Sequence, residues 1–459
     1  MPTTPRVTTV GSGLVRYLGP LDGAGVVVSN VIGGGIFFLP ALVAQLVAQP
    51  SLMIGVWVAG GVLAFAGAMS YAELAAMRPR AGGEYVYLRE AFGPLTAFLT
   101  GWTSFVAGFS GAIAASSVAL ASYMGRFLPA AGDTQPLATA TFGPVALTVS
   151  PQSILALTVI ASLTVVHVVG LGPGRFVQNL LAGMKVTLLV LFVGIGFTVG
   201  QGSWTNSTAA VVSVSGTSWL LALLPVMFAY SGWNAAAYLA EEIRSPQRNV
   251  PLALGLGTVI VIAIYVMLNL LYLYALPIAE FATVDGNIAD VAAERLFGSV
   301  VAVPIALASI VMIAASISAM VFAGPRVYFA MAEDGQCFPA AARLHSRFRT
   351  PANAIVAQSV WSGLLVLTGT FQQLVDYTAF AVVLFAGVAV MALFVLRHRH
   401  PAVDRPFKAW GYPIAPFVFV VTSAIMVANS MWKNPGPSAA GLLVIAAGVP
   451  VYFLVRRGS

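Results

Sequence analysis

Three groups of residues in this 459-residue chain have types and spacings that could do chemistry. Gly33-Gly34-Gly35 interrupts one long apolar run, and Tyr230-Ser231-Gly232-Trp233-Asn234 interrupts another. Lys185 is the only basic residue well inside such a run. Glycine costs roughly 1 kcal/mol in a helix interior, so three in a row predict unwound backbone. An unwound stretch exposes N–H groups, and the half-helix that follows adds partial positive charge at its N-terminus. Residues 33–35 therefore suit an anion such as a carboxylate, which can approach glycine backbone with no Cβ in the way. The competing explanation for glycine-rich runs is close helix–helix packing. Lys185 is about nine residues from the nearest end of its run, too deep to snorkel easily. At membrane depth it costs at least about 2.5–3.5 kcal/mol unless compensated.

The elements that must position these groups follow from composition. The chain is 59% hydrophobic and 8% charged, where a soluble domain is typically about 25% charged. Its solvent is a bilayer, which excludes soluble enzymes, nucleic-acid binders and secreted disulfide scaffolds. Twelve segments are long and apolar enough to cross it: 21–46, 52–77, 94–124, 152–170, 176–199, 217–240, 250–276, 300–332, 353–370, 373–396, 412–432 and 437–455. Runs this continuous are helices, not barrel strands, so the expected fold is an all-α integral membrane bundle of 12 transmembrane helices in a single domain. The two interrupted segments are the first and the sixth. They open two five-helix halves, approximately residues 21–200 and 217–396, with extra helices at approximately 412–455. Interrupted helices at matching places in two halves point to a secondary transporter built from inverted repeats.

Sorting the 22 Lys and Arg residues by loop gives the orientation. With both termini cytoplasmic, Arg126, Arg295 and Lys433 lie outside, Lys185 lies within a span, and the other eighteen lie inside. The net charge of +7 is thus topology, and no nucleic-acid partner is implied. Residues 1–20 lack the apolar core of a cleaved signal peptide. Nineteen Arg against three Lys lean towards a GC-rich, bacterial source, and hence an inner or plasma membrane. Cys337 is the only cysteine, so no internal disulfide can form. His167 stands alone in segment four, and His345, His398 and His400 are in loops without metal-ligand spacing. No metal or cofactor is expected. Asn206-Ser207-Thr208 is a sequon that matters only in a eukaryotic host.

Four motifs, in order, resemble those of the amino acid–polyamine–organocation superfamily, and in particular its L-type amino acid transporter branch. Ile32-Gly33-Gly34-Gly35-Ile36-Phe37, then Pro40, is similar to its first-span signature. Tyr71-Ala72-Glu73-Leu74, with Gly82-Gly83-Glu84-Tyr85, Tyr87 and Phe92-Gly93, resembles the stretch between spans two and three. Phe228-Ala229-Tyr230-Ser231-Gly232-Trp233-Asn234, with Glu241-Glu242-Ile243 and residues 246–251, resembles span six. Arg326 to Gly335 resembles the end of span eight. The likeness covers roughly residues 20 to 410. It implies a five-plus-five inverted repeat with two extra helices, carrying amino acids or related amines by alternating access.

The resemblance also implies a substrate site. Residues Ile32 to Ile36 would take the carboxylate, and carbonyls of Phe228 and Ser231, beside Ala229 and Gly232, would take the ammonium. Gly34 departs from the many relatives that have serine there, which leaves the carboxylate to backbone N–H groups. Lys185 corresponds to the fifth-span lysine of sodium-independent members. Its ammonium would occupy the place of a sodium ion, against carbonyls near Gly33 and hydroxyls such as Ser316 or Ser318. No sodium dependence is therefore expected. A lysine out of water can lose its proton, so proton coupling through Lys185 stays open, as does plain exchange. Animal members can pair with a heavy subunit through a cysteine between spans three and four. Residues 125–151 contain none, so a disulfide-linked partner is excluded.

Several residues have both a functional and an ordinary reading. Phe228 and Tyr230 either gate the site or simply pack. Asn234 either bonds the unwound backbone or reaches substrate. Tyr265 and Asn269, four apart on segment seven, either tie mobile helices to the scaffold or pack with a satisfied hydrogen bond. Segments one, three, six, eight and ten lack Asp or Glu near their centres, Asp376 being near an outer end, so a cationic side chain finds no counter-charge. Neutral, small or apolar amino acids are the expected substrates, and cationic amino acids, organic amines or polyamines the alternative. No G-x-x-x-x-G-K-[ST] loop supports an ATP-driven pump. Scattered histidines do not make a membrane enzyme, and a channel usually needs repeated subunits or charged rings. The oligomeric state is not readable.

Overall fold

In a computed structural model the described residues are 13–143, 145–208, 215–369, 371–433 and 435–458. Arg6 and the first twelve residues, read above for orientation and for a signal peptide, lie outside them, as do the side chains of Asp376 and Arg457.

The chain is an all-α membrane fold. Each of the twelve apolar segments falls on a helix or a helix pair. Among the described residues, nine helices are long and apolar enough to cross a bilayer. They are Pro50–Met77, Pro94–Met124, Pro151–Val168, Leu171–Thr198, Pro246–Ala275, Ser299–Glu333, Ala381–Arg399, Ile414–Lys433 and Pro435–Arg456. The pair Pro20–Val31 and Gly35–Leu46 makes a tenth, bent by 50° at its break. Segments six and nine form shorter apolar helices, Gly216–Ala229 and Ala352–Thr368, so a count of twelve full spans is an expectation and not a finding. Many of these helices begin on proline, whose fixed φ and missing N–H suit the first helical position. Pro20, Pro50, Pro94, Pro151, Pro246 and Pro435 all start helices here.

Both expected breaks are present. Helix ends at Val31 and restarts at Gly35. In segment six, helix ends at Ala229, and only Ala235–Tyr238 is helical beyond the turn. A third irregularity lies in segment three, where Ser104–Gly108 winds with the wider π spacing. The long helix Pro246–Ala275 packs on Pro50–Met77 and on Pro20–Val31. One antiparallel hairpin, Ala138–Phe142 with Val145–Val149, turns at Gly143 between segments three and four. Its Thr-rich alternation suits strand, and it is the one sheet among the described residues, beside a single parallel bridge between Leu18 and Ile243.

Ion pairs are distributed unevenly. On the arginine-rich face, Arg326 pairs with Glu242 (1% and 0% exposed), and Arg397 and Arg405 both reach Glu73, itself fully buried. Arg175 pairs with Asp22 there, and Arg89 with Asp334. On the opposite face Arg126 meets Asp290 and Arg295 meets Glu280, with both arginines about half exposed.

Candidate functional site

The two helix breaks touch each other twice. A Cβ on Gly35 would come within 2.9 Å of the Ala229 Cα. Gly232 has φ +100°, and a Cβ there would meet the carbonyl group of Asn30 at 3.2–3.3 Å. Only glycine meets both demands at 232: a left-handed backbone and a neighbouring main chain in contact. Tyr265, on segment seven, spans the junction. Its hydroxyl lies 2.9 Å from the Val31 carbonyl and 3.0 Å from the Ala229 carbonyl. A phenol has one proton to donate, so the two last helical carbonyls share it.

Lys185 is fully buried. Its Nζ donates to the carbonyls of Ser29 at 3.0 Å and Ile32 at 2.5 Å and to Ser316 Oγ at 2.8 Å. Three acceptors match the three N–H donors of an ammonium. Ser316 also donates to the Ile32 carbonyl at 3.1 Å, so segments one, five and eight meet at this point. Ser318 does not join them. Its hydroxyl lies 3.0 Å from His167 Nε2, because residues two apart on a helix point to different sides.

A cavity of about 250 Å³ lies beside the breaks, on their arginine-rich side in chain order. That is just below the usual range of small-molecule sites, about 300–1,000 Å³. Phe228, Ser231, Gly232 and Asn234 line it, together with Asn30 and Met320. Thr103 also lines it, as do Ser104 and Gly108 from the π-wound turn of segment three. Such turns put extra backbone polar groups at functional sites, but nothing in the Ser-Phe-Val-Ala-Gly sequence announced this one. Residues 33–35 are not part of the lining. Ile32 and Ile36 are buried beside the break, and Gly34 is exposed, close to Phe38. The first turn of Gly35–Leu46 carries N–H groups without helical acceptors four residues back.

The remaining residues singled out in the sequence fall as follows. Tyr230 is buried between Trp57 and Tyr265 and donates to the Trp57 carbonyl at 3.1 Å, which is a packed position. The Phe228 carbonyl accepts from the Ser231 N–H at 3.0 Å, leaving one lone pair for a ligand. Asn269 donates to the Tyr265 carbonyl. Asn234 bonds neither unwound backbone nor open cavity. Its amide donates to Glu84 Oε2 at 3.2 Å and to the Tyr238 hydroxyl at 3.0 Å.

Glu84 is the residue that sequence reasoning missed. It is the first residue of a short helix, Glu84–Phe92, that lies between segments two and three. Gly82 and Gly83, with φ +105° and +55°, turn the chain so that its carboxylate lines the cavity. Tyr238 donates to Glu84 Oε1 at 2.8 Å. Burial pushes the Glu84 carboxyl up to about 7, against the lowering effect of the Tyr238 and Asn234 hydrogen bonds. The search for acids within segments one, three, six, eight and ten thus left out one that lines the cavity from outside them. The signal was the Gly-Gly-Glu turn itself.

The family model described as "Amino acid permease" matches residues 18–455. The chain is 29% identical over 452 residues to the serine/threonine exchanger SteT of Bacillus subtilis, covering 98% of this chain and 99% of that protein. It is 29% identical over 450 residues to the Asc-type amino acid transporter 1 of Mus musculus, covering 96% of this chain and 81% of that protein. It is also 29% identical over 448 residues to the human cystine/glutamate transporter, covering 96% and 85%.

Proposed function

Because the chain belongs to the amino acid permease family, and so is an amino acid transporter and not an enzyme, we propose that it carries small neutral amino acids by alternating access and without sodium. Substrate carboxylate would bind at residues 33–35 through the N–H groups of Gly34 and Gly35, the Gly33 N–H being taken by the Val31 carbonyl at 2.9 Å, and substrate ammonium the carbonyls of Phe228 and Ser231 at the facing break. A zwitterion bridging the two would tie the broken helices together. That differential contact is what lets a ligand shift a conformational equilibrium.

The observation that carries the sodium independence is the Lys185 ammonium on the Ser29 and Ile32 carbonyls and the Ser316 hydroxyl. Those oxygens are the ones a cation would need, and they are already occupied. Tyr265, between the Val31 and Ala229 carbonyls, supports coupling between the two breaks. We further propose that the arginine-rich face is cytoplasmic, that both termini lie there, and that the membrane is the inner membrane of a bacterium. The halves at approximately 21–200 and 217–396 would form the inverted repeats. Relatives of equal identity bear names for serine/threonine and for cystine/glutamate, so identity alone does not choose the side chain.

One observation favours a second reading, carriage of cationic amino acids or amines: Glu84 lines the cavity without a basic partner among the described residues. Counterflow of labelled serine, alanine, leucine, arginine and glutamate into liposomes, in sodium and in potassium buffers, separates the readings. Saturable counterflow of the neutral substrates, equal in both buffers, is the expected result. Exchange seen only in sodium, or only with arginine, would overturn it.

A further inference from the structure

The carboxylate of Glu84 joins the short helix after segment two to the half of segment six beyond its break. It belongs to the helix Glu84–Phe92, whose C-terminal end is held to the arginine-rich face by the Arg78–Glu90 and Arg89–Asp334 pairs. Its two oxygens accept from Tyr238 and Asn234, both on the far side of the segment-six break. Asn234 lies two residues beyond Gly232, whose contact with Asn30 holds the two breaks together. The side chain therefore ties that helix to the half of segment six beyond the break, at the wall of the cavity.

Around this carboxylate the titratable groups are all phenols. Tyr87 is on its own helix, Tyr71 on segment two, Tyr238 on segment six and Tyr328 on segment eight. Segments three and ten face the cavity with Thr100, Thr103, Val382 and Phe385, and segment eleven with Phe419 and Ser423. Among the described residues no Lys, Arg or His pairs with Glu84. Phenols stay neutral at ordinary pH, so any charge change in this cluster belongs to the one carboxyl group. It has no cation to hold it ionised, and the surrounding burial brings its midpoint into the physiological range.

We propose that Glu84 is a proton-binding latch: ionised, it fastens the cavity wall to segment six, and protonated, it releases Asn234 and lets the arginine-rich face open. The ionised carboxylate only accepts, which suits the two donors aimed at it. A proton on Oε2 places an O–H donor against the Asn234 amide donor, and that bond is lost. Asn234 is then free to turn towards the cavity. The proton comes from solvent on the arginine-rich face and returns there, or leaves with the substrate cycle. This inference rests on the amino acid carrier reading and deepens it by adding a proton site distinct from Lys185.

The test is counterflow in liposomes across pH 5.5 to 9, with wild type, Glu84→Gln and Tyr238→Phe measured in parallel. The wild-type rate should rise several-fold as pH falls through about 7, following a protonated fraction that changes about tenfold between pH 8 and pH 6. Glu84→Gln should lose that dependence, changing less than about twofold over the same range. Tyr238→Phe removes a donor to the charged form, so its midpoint should move up by about one unit. An infrared carboxylic C=O band that titrates near 7 in the wild type and is missing from Glu84→Gln reads the same proton without transport. A wild-type pH profile retained by Glu84→Gln, or an unmoved midpoint in Tyr238→Phe, would overturn the proposal. So would competition by arginine that is strong in wild type and absent in Glu84→Gln, which would make Glu84 a substrate counter-charge instead. Counterflow of neutral substrate at fixed pH tests the carrier reading separately.

Discussion

The Lys185 ammonium lies 2.5 Å from the carbonyl oxygen of Ile32, the residue at which segment one stops being helical. Ile32 has no helical partner for that carbonyl, because the glycines after it break the ladder. A single buried charge on segment five thus satisfies the backbone that the break leaves open, and Ser316 completes its coordination from segment eight.

Replacing Lys185 with alanine leaves the Ser29 carbonyl without its donor in a dry site, while the Ile32 carbonyl keeps only the Ser316 hydroxyl. Such an orphan costs about 1–3 kcal/mol. Counterflow per purified transporter is expected to fall by at least roughly tenfold. Wild-type exchange in this variant would show that the ammonium only fills space.

Tyr265→Phe removes the hydroxyl between Val31 and Ala229 while keeping the ring against Trp57 and Tyr230. A neutral hydrogen bond contributes about 0.5–1.5 kcal/mol, so the melting temperature should change little. Exchange should slow by about two- to tenfold, read as initial counterflow rates. A large fall in melting temperature with unchanged rates would assign the tyrosine to stability alone.

Gly232→Ala meets both a left-handed backbone and the Asn30 main chain, and Gly35→Ala meets the Ala229 backbone. Both should abolish counterflow, with destabilisation of roughly 1–3 kcal/mol at position 232. Gly183→Ala, also in an apolar helix but with open space around its Cβ position, is the control and should be neutral. Thermal unfolding in detergent, alongside transport, separates the three.

Glu242→Gln leaves Arg326 buried without its charge partner, at a cost of about 3–5 kcal/mol. Arg295→Ala breaks an exposed pair, for which about 0–1 kcal/mol is typical. Melting curves of the purified proteins should therefore rank the first far below the second. Equal effects would contradict the burial described here.

The sign of the Glu84 effect on stability follows from its raised midpoint. A carboxyl held near 7 in the folded protein and near 4.5 in the unfolded chain favours folding in its protonated form. That contribution is fully present below about pH 4.5 and is lost as pH rises through 7. Between pH 6 and pH 9 the wild-type melting temperature should drop further than that of Glu84→Gln. Parallel curves for the two proteins would refute it.

The parts of this molecule that were legible in the sequence are those where one residue type leaves a backbone no choice. Three consecutive glycines could not stay helical in segment one, and a lone lysine in an apolar run had to find buried acceptors. Ser316 and Ser318 could not be told apart by composition, since only the helical phase decides which of them faces segment five. Glu84 escaped because acids were weighed only within the apolar segments. The short helix that carries it lies outside them and is folded back by two glycines. The π-wound turn at 104–108 and the hairpin at 138–149 depend on tertiary fit and on local strand preference, neither of which an apolar-run count detects.

The uneven distribution of ion pairs bears on how the two sides of the membrane are sampled. Among the described ion pairs, the arginine-rich face holds charges that are already out of water, whereas the pairs on the opposite face are solvent-exposed. In a carrier that alternates between the two faces, separating the buried pairs should cost more than separating the exposed ones, which would favour the state open on the opposite face. Concentration gradients still set net flux. The half-saturation concentration for one and the same substrate, however, should differ between the two compartments, with the lower value on the side whose door is lighter.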